Sequence, residues 1–341
     1  MKQILFSLPL ILTATATALH GATLPDNLNR LSFGPRVGFN IKAQFSNNPL
    51  PFTANPATNA GLPVGGIDHE YDDGFVRVDS SGNAGGTTWN WGYNNGSQVV
   101  GDTMQFHAAQ ANADAGPSSS EAEDDPQYGG ELIYQRLIGL VGESGLWGLE
   151  AAFSFIDLDL DQSTNRAGST TVITDSFALN GVIPPGAGYN GTFAGPGPLL
   201  GDTPTRTITS DTLTSKERLS GEVFAFRLGP FAEWEVGDKL KVSLSAGVTL
   251  APTSVDYEFS ETTQNALGGT TTTTGSSSTT QLLYGGYVGS MLHYDLDEQW
   301  GLHVGAQFQS LNSLELSAGT RTARLDQGVT LYGTAGVSFR F

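Results

Sequence analysis

The sequence predicts an all-β fold, a transmembrane antiparallel up-and-down β-barrel of eight strands, and three observations support this prediction. Apolar and polar residues alternate in segments long enough to cross a bilayer, which takes about 9 to 11 residues per strand. Short turns and long connections follow each other in strict alternation along the chain. The segment 329–341 alternates up to its final residue, and its apolar face has no later segment to cover it.

Composition narrows the class further. The chain has 44 Gly, 15% charged residues and a hydrophobic fraction of 38%. A barrel carries its hydrophobicity on one side of each strand, so such chains read as polar on average. The net charge of −18 makes nucleic acid an unexpected partner. The absence of Cys suits an oxidising compartment.

The N-terminus has the features of an export signal. Lys2 supplies a positive charge, residues 4–12 are apolar, and residues 16–18 read Ala-Thr-Ala. We expect a signal peptide over residues 1–18, with cleavage after Ala18 or, as the alternative, after Ala22. Residues 19–341 are then expected to form a single barrel domain with long loops at about 48–127 and 161–217.

Eight segments carry the predicted membrane strands. The second has an ambiguous register, and the third changes phase at Ile156, which a β-bulge would explain. In the first, we expect Ile41, Ala43 and Phe45 to face lipid. The segments are 31–45, about 128–140, 146–160, about 219–236, 239–257, 281–294, 300–316 and 329–341. A ten-stranded barrel, with 74–79 and 87–93 as an extra hairpin, is the alternative.

Connection lengths orient the predicted barrel. Outer-membrane barrels have short periplasmic turns and long extracellular loops. The short connections at 141–145, 236–239 and 295–299 therefore predict that both termini are periplasmic. The segment 268–280 is almost entirely Gly, Thr and Ser and is expected to be a flexible loop tip.

The last segment supports a family resemblance. Its outward face ends on Phe339 and Phe341, and it resembles the closing strand of bacterial outer-membrane β-barrels, in particular the small OmpA/OmpX-like proteins. That resemblance implies a location in the outer membrane of a Gram-negative cell. It also implies a role for Phe339 and Phe341 as an assembly signal, with outer-membrane lipid, lipopolysaccharide and the assembly machinery as partners.

Charged residues on the inward faces of these strands are expected to form a lumenal network. Eight strands leave a lumen just wide enough for side chains, so buried charges there need partners. We expect a salt-bridged plug, with His293 and His303 as a packed pair. The predicted lumenal charges are Arg36, Lys42, Glu150, Arg227, Glu233, Glu235 and Lys241.

The first long loop contains three aromatic residues at alternating positions, Trp89, Trp91 and Tyr93. Their period of two places them on one face of a hairpin. Exposed aromatic rings would form a binding surface for sugar rings of a surface polysaccharide. Buried rings would instead form a small core that closes the barrel mouth. The sequence leaves both interpretations open.

Motifs for metal binding or catalysis are weak. Asp157, Asp159 and Asp161 have the first spacings of a calcium loop, but its Gly and closing Glu are missing. No serine, histidine and acid pattern is recognisable. We therefore expect no metal, no cofactor and no enzymatic activity. The predicted function is that of a structural or surface-interaction protein acting through its extracellular loops, with a narrow solute channel as the alternative and a barrel hydrolase after that.

Overall fold

The computed structural model describes residues 24–48, 63–64, 68–78, 85–112, 115–123 and 126–341. The predicted signal peptide lies outside these residues. Apart from one 3-10 turn at Gly96–Gln98, all regular structure in the described ranges is β-strand. No helix in this part of the chain is long and apolar enough to cross a membrane.

The strands are numbered here in chain order. The first ten are β1 (Asn29–Phe39), β2 (Lys42–Asn47), β3 (Pro63–Val64), β4 (Asp68–Tyr71), β5 (Gly74–Val76), β6 (Thr87–Thr88), β7 (Trp91–Tyr93), β8 (Val99–Val100), β9 (Thr103–Ala111) and β10 (Ser118–Ala122). The others are β11 (Gln127–Val141), β12 (Gly145–Ala178), β13 (Tyr189–Asn190), β14 (Leu200–Gly201), β15 (Thr205–Gly237), β16 (Leu240–Gln264), β17 (Thr270–Asp295), β18 (Trp300–Leu311), β19 (Leu314–Ala318), β20 (Arg321–Asp326) and β21 (Thr330–Arg340).

Eight strands close into a ring. The order is β11, β1, β21, β18, β17, β16, β15 and β12, and β12 pairs back with β11. Every neighbouring pair in the ring is antiparallel. The predicted eight-stranded antiparallel barrel is therefore confirmed. Among the described residues, the hairpin of the ten-stranded alternative is not part of this ring: β5 and β7 pair in a separate five-stranded sheet, and β6 pairs with β14.

The two ends of the barrel differ. Short turns join β11 to β12, β15 to β16, and β17 to β18 at one end, which we call the turn end. Asn29 and Phe341 exchange backbone hydrogen bonds of 3.2 and 3.0 Å there, so the start of β1 and the end of β21 lie at the same end of the barrel as these turns. All long connections leave from the opposite end, the loop end.

The outer surface next to the turn end is a band of exposed apolar side chains. Trp147, Tyr294 and Trp300 lie at its border with the short turns. A closed barrel with an apolar outer band and aromatic side chains at its border is the architecture of a transmembrane β-barrel. The band includes Phe33, Leu132, Leu149, Phe153, Phe226, Leu228, Leu244, Val248, Val288, Leu302, Val304 and Phe308.

Strand β12 shows that this pattern inverts towards the loop end. From Trp147 to Phe155 its large apolar side chains face outward, whereas Ile156, Leu158 and Leu160 face inward and are buried. The pairing of β12 with β11 and β15 is continuous through Ile156. The predicted bulge is therefore wrong. The phase changes because the strand leaves the lipid, after which the interior is the only place for an apolar side chain to avoid water.

Strand β1 ends earlier than predicted. Asn40 has a φ of 62°, in the left-handed region that Asn tolerates better than most residues. After this bend, β2 leaves the ring and joins a four-stranded sheet with the order β10, β2, β20, β19. Ile41, Ala43 and Phe45 are consequently buried instead of facing lipid, which corrects the prediction.

Two predicted loops are largely strand. Most of 161–217 belongs to β12 and β15, which pair as far as Ser176 and Thr205, and 268–280 is mostly the start of β17. In β17, Thr270 pairs with Gln264 and the ladder continues without a shift. Backbone pairing along β-branched Thr residues satisfies the strand hydrogen bonds, which composition alone does not reveal.

Candidate functional site at the loop end

Four of the predicted lumenal charges lie in the barrel interior, namely Arg36, Glu150, Arg227 and Glu233. They are partnered mainly by residues that the sequence did not single out. Arg36 Nη1 donates to Glu131 Oε1 at 2.5 Å, and Arg227 forms an ion pair with the same oxygen.

Further polar contacts cross-link the interior. Arg30 binds both carboxylate oxygens of Glu233 at 2.5 and 2.9 Å. Glu150 accepts hydrogen bonds from Gln135 Nε2 at 2.8 Å and from the Tyr287 hydroxyl at 3.2 Å. At the turn end, this network is followed by a small buried apolar cluster of Leu137, Leu146 and Phe231.

The other three predicted lumenal charges lie elsewhere. Lys42, displaced by the bend at Asn40, lies in the four-stranded sheet and pairs with Glu121 at 2.9 Å and Glu123 at 2.8 Å. Lys241 lies at the turn end, 3.4 Å from both Glu235 and Asp295. The side chain of Glu235 is 64% exposed. The prediction was wrong for Glu235, because the last residues of an inward face emerge from the barrel, whereas the side chain of Lys241 is only 14% exposed.

The sequence contained a signal for the residues that were missed. Glu131 and Gln135 share one face of the strand with the ambiguous register, together with Ile133 and Leu137. A carboxylate within the lipid band can only point inward. This rule would have fixed the register of β11 and added Glu131 and Gln135 to the lumenal set.

The two histidines form a cross-strand pair. His293 on β17 and His303 on β18 are directly opposite, with ring centroids 6.2 Å apart, and both are buried. Ser243 Oγ is 3.5 Å from His293 Nε2. The pair is packed inside the barrel wall.

Above the charged network, the interior becomes apolar. The four-stranded sheet folds across the mouth of the barrel and packs on the inner faces of β12, β15 and β16. We call this cluster the loop-end core. It comprises Ile41, Ala43, Phe45, Ala122, Ile156, Leu158, Leu160, Leu219, Val223, Ala225, Ala251, Val255, Tyr257, Leu283, Leu311, Leu314, Leu316, Ala323, Leu325 and Tyr332.

Two of the three loop aromatics, Trp91 and Tyr93, lie in a second buried cluster, beyond the first, which also contains Phe106 and Phe177. Trp91 and Tyr93 are buried, and Trp89 is half-buried. Their polar atoms donate to carbonyl groups of the connection between β12 and β15: Trp91 Nε1 to Pro198 at 2.8 Å, Trp89 Nε1 to Phe193 at 3.1 Å, and the Tyr93 hydroxyl to Pro185. These rings thus fasten the first loop to the far tip of the long hairpin.

Titratable groups in this tip form two hydrogen-bonded groups, one centred on Asp175 and one formed by Asp73 and His107. Arg206 binds Asp175 through two hydrogen bonds of 2.8 and 2.7 Å, and the Tyr71 hydroxyl donates to Asp175 at 2.7 Å. Burial raises the pKa of Tyr71 well above its ordinary value. Asp73 Oδ2 lies 2.7 Å from His107 Nδ1.

A polar cleft lies between the end of the four-stranded sheet and the long hairpin. It consists of two adjoining cavities of about 140 and 320 Å³. Asn47, Arg166 and Arg321 line both of them. Their other lining residues include many hydroxyl side chains, namely Ser118, Ser119, Ser120, Thr164, Ser169, Ser215, Thr263, Thr273 and Thr320.

Opposite charges are matched in this cleft. Buried Arg321 donates to Glu217 at 2.9 Å and to Ser215 at 2.7 Å, and it pairs with Glu261. Arg166 donates to Ser118 and lies 3.5 Å from Glu261. Burial and the positive charge of Arg321 lower the pKa of Arg166.

One aspartate of the calcium-like spacing is engaged in an ion pair. Asp159 faces outward and binds Arg218 through two hydrogen bonds of 2.6 and 2.8 Å, which lower the pKa of Asp159. In the described ranges, no group of three or more His, Cys, Asp or Glu side chains is arranged to hold a metal ion.

Comparison with known proteins assigns the chain to no family. No protein-family model and no curated protein matches the chain. Among solved structures, it is similar to Ail, the attachment invasion locus protein of Yersinia pestis, in complex with the heparin analogue sucrose octasulfate (6% identity, 92% of this chain and 99% of that one, TM-score 0.24).

Two further structures show the same level of similarity. One is the outer membrane protease OmpT from Escherichia coli (12% identity, 93% of this chain and 97% of that one, TM-score 0.29). The other is a Pseudomonas aeruginosa FadL homologue (7% identity, 93% of this chain and 91% of that one, TM-score 0.21). Similarity this low ties the chain to none of their activities. Its own closed ring and apolar band identify it as a β-barrel of the outer-membrane type.

Proposed function

We propose that this chain is a surface-interaction protein of the outer membrane, and that it binds a polysaccharide through its loop-end region. One observation carries the proposal: the interior is filled by a charged network and a core, whereas the loop end presents a water-accessible polar cleft. The barrel then serves as an anchor and the loop-end region as the working part.

The proposal includes an orientation. Short turns lie on the periplasmic side of outer-membrane barrels and long connections on the outside. The turn end and both termini are then periplasmic, and the cleft faces the extracellular medium. Outer-membrane lipid and lipopolysaccharide would surround the apolar band, and Phe339 and Phe341, which stack at 6.0 Å at the turn end, would be read by the assembly machinery.

The loop-end region is large enough for this role. Strands β12 and β15 remain paired from Gly145 to Ser176, whereas about 9 to 11 residues suffice to cross the hydrocarbon. The strand residues beyond that length pack around two separate buried clusters, the loop-end core and the second cluster, which contains Trp91 and Tyr93. A rigid surface loses less conformational entropy on binding than loose loops would.

The channel alternative is not favoured. A solute path would have to cross the Arg36, Glu131 and Arg227 network and then the apolar loop-end core. Opening the first would separate buried ion pairs, and opening the second would expose buried apolar surface.

Two measurements on one preparation test the proposal. Proteoliposomes of the full chain should be retained on surfaces coated with neutral polysaccharide, and protein-free liposomes should not. The same protein in planar bilayers should give no stable conductance steps. Steady conductance together with no retention would replace the surface-interaction function by the channel.

A further inference from the structure

We propose that the polar cleft is a binding site for an uncharged sugar residue. The inference deepens the proposed function and rests on it, since it names the part of the loop end that contacts a polysaccharide and the kind of sugar bound. The adjoining cavities give it a volume in the range of small-molecule sites, about 300 to 1,000 Å³.

The charge balance of the cleft selects a neutral ligand. Arg166 and Arg321 face the two carboxylates of Glu217 and Glu261, so the formal charges cancel. An anionic ligand would have to compete with both glutamates for the guanidinium groups, and a cation would compete with the arginines. A neutral ligand can enter without separating an existing ion pair, which is costly for buried groups.

The hydrogen-bonding capacity of the walls matches hydroxyl groups. Serine and threonine hydroxyls both donate and accept, guanidinium groups donate, and carboxylates accept. A sugar ring carries hydroxyls that can do either, together with a ring oxygen that accepts. The lining, with hydroxyl side chains beside Asn47, Arg166 and Arg321, therefore offers complementary partners to each group of a sugar.

The cleft is also held in position before any ligand binds. Arg321 is fixed by Ser215 and Glu217 on one strand, and its guanidinium lies 4.6 Å from the centre of the Phe259 ring. The Tyr257 hydroxyl donates to Glu217 at 3.0 Å from the core below. Polar groups fixed in this way lose little entropy when they bind a ligand.

Arg166 is the residue best placed to meet the ligand. It lines both cavities, and its side chain is 22% exposed, whereas Arg321 is almost fully enclosed. Burial and the neighbouring Arg321 lower the pKa of Arg166, so further hydrogen-bond acceptors would stabilise its charge. The oxygens of a sugar supply such acceptors.

Saturation-transfer NMR on the full chain in detergent micelles tests the site. The probes are methyl glycosides of glucose, galactose, mannose and N-acetylglucosamine, with glucuronate as an anion and glycine as a zwitterion for comparison. We expect signal from at least one neutral glycoside, above that of glucuronate and glycine. Preference for either charged probe, or no signal from any neutral glycoside, would overturn the inference.

Three variants locate the site. Arg166→Ala removes a donor, and Thr164→Phe fills the smaller cavity without changing charge; each should weaken glycoside binding about tenfold or more. Arg218→Ala removes an arginine of similar pairing from the outer face and should bind as wild type. Heat-modifiable migration on gels verifies that each variant is folded. Unchanged binding in both cleft variants would contradict the site.

Retention of the same variants on polysaccharide separates the two levels of the proposal. If wild type is retained and both cleft variants are retained equally, the surface-interaction function stands and the cleft is not its site. If wild type itself is not retained, the function fails, whatever the cleft binds. Loss of retention in both variants, with Arg218→Ala retained, supports both levels.

Discussion

The membrane band and the loop-end region share strands β12, β15 and β16, yet the apolar side chains of these strands face outward in the band and inward in the loop-end region. In the band, Leu149 and Phe153 on β12 face outward while Glu150 faces the interior. A few residues later, Leu158 and Leu160 face inward while Asp159 faces outward. The pairing of β12 with β15 and the pleat of the strand do not change between these positions; only the surrounding medium does.

This difference gives the two regions different interiors, one charged and one apolar. In lipid, the barrel interior is the only place for charge, so the network there closes the lumen. In water, the interior is the natural place for apolar side chains, and the four-stranded sheet provides the second layer that a barrel wall alone lacks. Polar side chains then return at the top of the loop-end core, where they line the cleft.

The largest effect is expected from the charged network of the membrane band. Glu131→Ala removes the carboxylate that Arg36 and Arg227 share, and leaves two buried guanidinium groups without it. Losing one member of a buried pair costs about 3 to 5 kcal/mol. Urea unfolding in lipid vesicles, followed by tryptophan fluorescence, measures this loss.

The matched control lies outside the barrel. Glu258 is an exposed glutamate on the outer face of the loop-end region, and Glu258→Ala should change the unfolding free energy by at most about 0.5 kcal/mol. A loss below about 1 kcal/mol for Glu131→Ala would mean that water reaches this layer, and the closed-lumen account would be wrong.

The next effect tests the loop-end core. Leu158→Ala creates a cavity among fully buried side chains, which costs about 2 to 5 kcal/mol. Because the band is stabilised separately by lipid, the loss should appear as faster hydrogen exchange in β2, β19 and β20 while the ring strands keep their protection. Leu149→Ala, on the lipid face of the same strand, should leave exchange at the loop end unchanged. Equal acceleration throughout would show that the two regions unfold as one.

A smaller effect is expected at the bend that separates the two regions. Asn40 has positive φ, and a β-branched residue there is strained by about 1 to 3 kcal/mol. Asn40→Val should therefore loosen β2 and increase cleavage of the loop end by added protease. Asn40→Gly keeps the backbone conformation and loses only side-chain bonds, such as the 2.5 Å bond to the Val329 carbonyl. If Val and Gly variants are cleaved alike, strain at this bend is not what positions β2.

The change of the apolar face from outside to inside explains which side-chain orientations could be predicted from the sequence. The alternation rule places Phe226 outward and Arg227 inward correctly, because it assumes lipid outside, which holds there. For Ile41 and Phe45 the same assumption wrongly predicts that they face lipid, because these residues lie beyond the membrane band and are buried in the loop-end core. The strand pattern is local, but the side facing the core depends on where the membrane ends, which no single segment encodes.

The cleft was beyond sequence reasoning for a related reason. Asn47, Arg166 and Arg321 come from three distant segments that only the fold of the four-stranded sheet brings together. No spacing in the sequence relates them, and each alone reads as an ordinary solvated residue. Tertiary pairing across the barrel mouth creates the site, so it becomes visible only once β2 and β20 are known to lie against β12.

The smallest effect tests an ion pair on the outer side of the four-stranded sheet. Lys42 Nζ holds the pKa of Glu121 below its ordinary value through a 2.9 Å hydrogen bond, so the pair stabilises the folded state fully above the unfolded pKa of about 4.3. That contribution is lost as pH falls through the folded pKa. Since both side chains are substantially exposed, it should not exceed about 1 kcal/mol at pH 7.

Calorimetry of wild type and Glu121→Gln at two pH values measures this contribution. At pH 7 the loop end of the variant should melt slightly earlier than that of wild type. Near pH 3 the two should converge, because the protonated carboxyl of Glu121 and the amide that replaces it are then equally uncharged; 1 M salt at pH 7 should narrow the gap in the same way. A gap that persists at pH 3 would assign the stabilisation to packing in the sheet and not to the charge of Glu121.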